Sequence, residues 1–229
     1  MCPICAYRTA RDKILIMTEL ISPHGGYRNL KSFQMAEIVF DLTFDFCKRY
    51  ISDFKLRAQI EGAARGGKQN IAEGSATSGT SKQSELRLVQ VARASQEELL
   101  NDFLDFLRTQ GLEKWDKDDG RVREIRNLAF ATNRTYTTYK TYMTEPTAAA
   151  NCMICLIHQV NYLLDQQIKM LEKDLVQKGD YKERYLQTRK EKMFGSPEKE
   201  REEYESFLKE LGRKRLKNGQ VVAIDDPRE

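Results

Sequence analysis

LRAQIEGAARGGKQNIAEG, Leu56 to Gly74, reads as one helix with a surface made largely of small residues: Ala58, Gly62, Ala63, Ala64, Gly66, Gly67 and Ala72. A glycine inside a helix costs about 1 kcal/mol against alanine. Gly62, Gly66 and Gly67 fall close together, so helix stability is being given up for something. Close approach fits best, because a neighbouring backbone can pass nearer where there is no β-carbon. The stretch is therefore expected to be the packing helix in the middle of a bundle, with Gly74 as a left-handed cap at its end.

Working outward, Phe33, Ala36, Ile38, Val39, Leu42, Phe44, Phe46 and Tyr50 recur at three- and four-residue spacing. That spacing predicts a helix over 29–51, buried on more than one side. Residues 52–55 are a short polar link. On the other flank, SATSGTSKQ is a loop of turn formers. Thr80 with Gln83 fits a capping box for a third helix over 82–108, with Ser81 as the alternative cap. This helix carries two apolar stripes, one through Leu86, Val89, Leu99, Phe103 and Phe106, the other through Leu88, Val91, Leu100, Leu104 and Leu107. Two stripes call for two contacts.

GLEKWDKDDG at 111–120 is a linker of mixed charge. An extra helix is expected over 121–143, where Arg121, Arg123, Arg126, Arg134 and Lys140 are interleaved with Tyr136, Tyr139 and Tyr142, and Pro146 is expected to stop it. The stripe Ile154, Ile157, Leu164, Ile168, Leu171 and Leu175 then predicts a long helix over 148–178. Past Gly179 the chain is almost wholly charged, and one or two weakly docked helices are expected there, with a loose end from about Asn218.

This gives an N-terminal segment 1–26, a four-helix unit 27–178 with a helical insertion at about 112–146, and a charged, partly flexible suffix 179–229. Met17 offers an alternative translation start, by which residues 1–16 would fall outside the native protein.

Composition narrows the class. Forty per cent hydrophobic residues suffice for a core, and 31% charged residues favour helices with wet outer faces. A net charge of +4 permits contact with nucleic acid without requiring it. No apolar run approaches the roughly 20 residues that span a bilayer, and the first residues lack a secretory apolar segment. The expected location is the cytoplasm, where the five cysteines are reduced thiols.

NIAEG at Asn70–Gly74, preceded by Gln59 and the pair Ala63-Ala64, resembles the four-helix-bundle protein family found in intervening sequences of bacterial large-subunit ribosomal RNA genes. Ser84-Glu85, Arg87 and ARASQEEL at 92–99 continue the resemblance, as does YRNLKSFQMAE at 27–37. It covers about 27–108, with the fourth helix supplied by 148–178. The Arg/Tyr segment and charged end depart from the compact pattern and look like the subgroup with a C-terminal suffix. The resemblance implies an antiparallel up-and-down four-helix bundle that assembles as a homopentameric ring. One branch, the accessory variability proteins of diversity-generating retroelements, binds nucleic acid and a reverse transcriptase through a basic surface. The motif residues have an architectural look: Asn70 and Glu73 placed to tie helix ends together, Ala72 and Gly74 where space is short.

Several sites compete with bland readings. Gly62 to Lys68 meets most of the phosphate-loop pattern, but no strand precedes it and Gln69 stands where a hydroxyl is needed, so helix packing is preferred. Cys2/Cys5 and Cys152/Cys155 could offer four thiolates to zinc, yet the second pair lies among apolar helix residues. His24 and His158 show no relay pattern, and Glu97-Glu98 lack the Glu-x-x-His partners of a di-iron bundle. No catalytic residue, metal or cofactor is expected.

The basic residues are the functional lead. Arg57, Arg65 and Lys68 recur at about helical spacing, and Lys82, Arg87 and Arg93 extend along the third helix. Repeated around a homo-oligomeric ring, these cations would make a concentrated positive surface. Arg123, Arg126, Tyr136 and Tyr139 add charges for phosphates and rings for bases. The bland alternative is a solvated face paired with acids. The function expected is a non-enzymatic module binding RNA or DNA with low sequence specificity, able to present it to a nucleic-acid-processing enzyme. The alternative is a structural adaptor acting through the suffix, and an enzyme comes third.

Overall fold

A computed structural model describes residues 24–129, 135–194, 197–216 and 219–225. Expectations for residues 1–23, including the alternative start and the Cys2/Cys5 pair, lie outside the described residues. The described chain is mostly helical, an all-α architecture with one small two-stranded sheet. It divides into two compact units, one ending at Tyr181 and one beginning at Lys182.

Four long helices dominate the first unit: α1 (Lys31–Tyr50), α2 (Phe54–Thr77), α3 (Lys82–Thr109) and, after two short elements, α6 (Pro146–Lys178). The short elements are α4 (Gly120–Leu128) and α5 (Tyr136–Tyr139). In the main contacts α1 packs on α2, α2 on α3, α3 on α6 and α6 on α1. Ser32 Oγ donates to Gln167 Oε1 at 2.7 Å near one end of α1, and the Tyr50 hydroxyl donates to the Met143 carbonyl at 2.8 Å near the other. Phe46, Phe103 and Ile71 are fully or almost fully buried in the shared core. The rings of Phe46 and Phe103 meet edge to face at 4.8 Å, an arrangement that adds to their area burial. Helices α2 and α6 both lie against α3, burying Val89, Leu99, Leu100, Phe103 and Leu107, while Val91 of the second stripe stays exposed.

The small residues of α2 do two different things. At Gly67 an added Cβ would overlap the carboxamide of fully buried Gln96, and at Gly66 it would lie 3.0 Å from Ser95 Oγ. At Gly74 it would meet the Glu85 carbonyl oxygen at 3.3 Å. These three glycines let α3 come in. Gly62 has nothing within 4 Å of such a Cβ, so close approach does not explain it.

Several boundaries correct the sequence expectations. Helix α2 starts earlier, within the supposed polar link, because Asp53 accepts from the Leu56 N–H at 2.7 Å and caps it. It also runs through Gly74 to Thr77. Gly74 is buried against α3 and has no positive φ, so it is not a left-handed cap. The cap of α3 is Ser81, accepting from Ser84 N–H at 3.1 Å, rather than Thr80. The single helix expected over 121–143 is instead α4, then α5, then a 3-10 turn over Lys140–Thr144; residues 130–134 lie outside the described residues. Pro146 opens α6 rather than stopping its predecessor: proline suits the first turn, where its missing N–H would find no partner anyway. Glu145 caps the same end, accepting from Thr147 and Ala148 N–H at 3.1 and 2.7 Å.

The second unit contains most of α7 (Tyr181–Phe194), α8 (Pro197–Glu210) and an antiparallel pair, β1 (Arg213–Arg215) with β2 (Val221–Ala223). The hairpin replaces the loose end expected from Asn218; Asn218 itself is outside the described residues. Gly212, at φ 68°, turns the chain out of α8, and Leu208 and Leu216 are the buried anchors of this small unit.

Candidate nucleic-acid interface and ligand cavity

The ten residues expected to meet nucleic acid fall into three groups. In the first, cations are already engaged. Arg57 pairs with Glu61 at 2.7 Å, Lys82 with Glu85 at 2.7 Å, and Arg93 with Glu97 at 2.6 Å and Asp165 at 3.1 Å. Lys68 sits over the Phe40 ring, 3.8 Å from its centroid, and so turns toward α1. The acids responsible are one helical turn away or on a facing helix, spacings that the sequence carries but that only packing selects.

In the second group, Arg65, Arg87 and Arg123 are exposed and make no ion pair among the described residues. The third holds Arg126, whose guanidinium donates to the Lys117 carbonyl at 3.0 Å, and the two tyrosines of α5. Tyr136 is exposed with the Lys140 ammonium 5.9 Å from its ring centroid, whereas Tyr139 is fully buried and its ring is out of reach of a stacking base. The alternation of rings and cations in the sequence did not distinguish these two faces.

The architectural residues are also redistributed. Asn70 Nδ2 donates to the Gly66 carbonyl of its own helix at 2.8 Å, so it ties no helix ends together; four-residue spacing puts that carbonyl nearest. Glu73 is exposed, and Ala72 packs against the core. Ends are tied by Asp180 instead. Its carboxylate accepts from Lys82 N–H at 2.8 Å, Tyr181 N–H at 2.8 Å and Ser81 Oγ at 3.1 Å, joining the end of α6 to the start of α3.

A convergence of chemistry that the sequence did not reveal is a cavity of about 870 Å³ between α1, the 114–117 segment, α4 and α6. Met35, Val122, Ile154 and Leu163 give it apolar walls, and Trp115 and Tyr162 contribute rings. Lys31, Lys114, Lys117 and Arg126 bring four cations to its lining against Asp116 as the single carboxylate. Arg126 Nη1 is fixed by donation to the Lys117 carbonyl at 3.0 Å.

Asn151 builds this wall. Its side chain accepts from Trp115 N–H at 2.8 Å and donates to the carbonyls of Glu113 at 2.8 Å and Thr147 at 2.9 Å. One buried carboxamide thus clamps the 113–115 backbone to α6, and Arg121 covers Trp115 from 4.1 Å. The signal in the sequence was Asn151 itself, a polar residue on the apolar face of a long helix.

Two polar groups in the lining remain unserved. Both carboxamide atoms of Gln159 and the indole N–H of Trp115 are shut off from water and have no hydrogen-bond partner among the described residues. Such groups carry the full desolvation cost. Burial holds the pKa of His158 below its ordinary value, aided by Lys114, Arg126 and Arg93 and opposed by Glu97.

Among the described residues neither phosphate-loop nor metal chemistry is assembled. Gly62 to Lys68 is wound into α2, where its N–H groups serve the helix. Cys152 and Cys155 are buried, and burial pushes both thiols up, Cys155 to about 11, which disfavours the thiolates zinc needs. Among the described residues no group of three or more His, Cys, Asp or Glu could hold a metal ion. Nor is any described helix long and apolar enough to cross a membrane. No protein-family model, curated protein or solved structure matches the chain.

Proposed function

We propose that the chain is a non-enzymatic module that binds RNA or DNA with low sequence specificity through the cationic groove around Trp115. The observation that carries this reading is the convergence of Lys31, Lys114, Lys117 and Arg126 on a cavity with two aromatic rings in its lining. Cations neutralise the phosphates of a single strand, and rings stack its bases. Arg65, Arg87 and Arg123 are exposed with no ion pair among the described residues, while the engaged Arg57, Lys68, Lys82 and Arg93 drop out of the basic set.

The scaffold is read as an antiparallel up-and-down four-helix bundle of the kind that NIAEG resembles. The cyclic order of neighbours and the links Ser32–Gln167, Tyr50–Met143 and Ser81–Asp180 support it. Self-association into a ring is part of the proposal, and rests on the resemblance carried by NIAEG at Asn70–Gly74.

Fluorescence anisotropy of a labelled single-stranded oligonucleotide tests the groove. Affinity is expected to fall as salt rises, and Lys114→Glu with Lys117→Glu and Arg126→Glu to abolish most of it. Each phosphate that the variant no longer neutralises should flatten the logarithmic salt slope by about 0.7. Wild-type affinity in that triple variant would remove the groove from the interface.

A second reading, a protein adaptor acting through residues 182–229, is favoured by Tyr204, Phe207, Leu211 and Ile224, which are all exposed on that small unit.

A further inference from the structure

The groove combines features that a merely electrostatic surface does not need. Its volume of about 870 Å³ lies in the range of pockets that enclose small organic ligands, roughly 300–1,000 Å³. Its walls are apolar, its cations are the exposed Lys31, Lys114, Lys117 and Arg126, and Gln159, a residue of its lining, has a carboxamide with neither donor nor acceptor satisfied. A carboxamide presents an acceptor and donors side by side. The edge of a nucleobase carries the matching pair, and its ring suits apolar and aromatic walls.

We infer that this cavity takes one nucleotide, with the base among Met35, Ile154 and Leu163 and hydrogen-bonded at its edge by Gln159, and the phosphate held by the cations at the rim. The inference rests on the nucleic-acid reading of the groove and names what the groove holds. Gln159 reaches the base by rotation of its flexible side chain, since its polar atoms are closed off from water when the cavity is empty. A ligand that satisfies this unserved carboxamide supplies the physical gain. Electrostatics alone would not require a cavity at all.

The same chemistry can arrive as a free nucleotide or as one residue of a strand, and the two are separable. Trp115 is the only tryptophan in the chain, so its emission reports on this cavity and nothing else. Titration with AMP, CMP, GMP and UMP, and separately with single-stranded oligo(dT) and oligo(A), is read by Trp115 fluorescence, with anisotropy of the labelled oligonucleotides in parallel. A saturable change in emission is expected with at least one of these probes.

Gln159→Leu, and Gln159→Met as a second replacement of similar volume, are expected to weaken that binding about tenfold, the equivalent of one or two net hydrogen bonds. Their thermal stability is expected to stay level or rise, because an unpartnered buried amide has been replaced by an apolar group. A merely structural Gln159 would instead lower stability and leave affinity alone.

Salt-sensitive oligonucleotide binding with unmoved Trp115 emission, or wild-type affinity in both Gln159 variants, would overturn the cavity's role and leave the binding module intact. Saturation by a mononucleotide with no oligonucleotide binding would support the cavity and remove the strand-binding reading. No saturable change with any probe would overturn both.

Discussion

At Gly67 the absent β-carbon is replaced in space by the carboxamide of Gln96, whose two polar atoms are themselves buried without a partner. Glycine at this position is therefore kept by a side chain on α3, whereas at Gly74 an added β-carbon would meet the Glu85 backbone carbonyl at 3.3 Å. Gly62, earlier in the same helix, has open space around it. The two positions should respond oppositely to alanine. Gly62→Ala is expected to stabilise by about 0.5–1 kcal/mol through helix propensity. Gly67→Ala is expected to destabilise by about 1–3 kcal/mol as the core is overpacked. Urea denaturation measures both, and in a Gln96→Ala background Gly67→Ala should change sign and stabilise. A destabilising Gly67→Ala in that background would place the obstruction elsewhere. The same scale explains why candidate residues were only partly legible. Tyr136 and Tyr139 are identical letters on neighbouring turns, yet one is exposed and the other fully buried. Arg57 and Arg65 each stand four residues from Glu61, yet only Arg57 pairs with it, at 2.7 Å.

Among the elements, the joint between the end of α6 and the start of α3 depends on one carboxylate. Burial acts to raise the pKa of Asp180, but the N–H groups of Lys82 and Tyr181 and the Ser81 hydroxyl outweigh it and leave the pKa lowered. A carboxylate whose pKa is lowered by folding stabilises the fold above its unfolded pKa, and that contribution disappears as pH falls through the folded value. Asp180→Ala is thus expected to cost about 1 kcal/mol at neutral pH, in line with the removal of other helix caps, and almost nothing in acid where the wild-type carboxyl is already protonated. Thermal melts of both proteins across that range check it; a constant difference in Tm would show that the charge is not what matters. Helix existence was readable because apolar spacing is local. Ends were less so. Asp53 and Glu145 as caps, and Pro146 as a first-turn residue, are local chemistry that sequence carries in full, whereas α2 outlasting Gly74 follows from burial against α3.

For the whole molecule, the first unit has its own core and the second its own anchors, Leu208 and Leu216. Removal of residues 182–229 is expected to leave the first unit folded, with a cooperative melt within a few degrees of the full chain. Oligonucleotide affinity should persist in the truncated protein if the groove around Trp115 is the interface. Disappearance of a stable protein complex while affinity is kept would instead favour the adaptor reading. Sedimentation of the truncated and full-length chains at matched concentration reports whether self-association belongs to the first unit; a monomer at all concentrations would end the ring proposal.

Apolar periodicity, capping residues and small-residue clusters act within a few residues of themselves, so the sequence alone determined an all-α chain, its long helices and a charged C-terminal stretch. Which arginines are neutralised, which tyrosine is core, and that Lys31, Lys114, Lys117 and Arg126 share a cavity with Trp115 and Gln159 were decided only by tertiary structure. Those residues are up to 128 positions apart along the chain (Lys31 to Gln159), and no local pattern encodes a meeting between side chains that the packing of α1, α4 and α6 brings about.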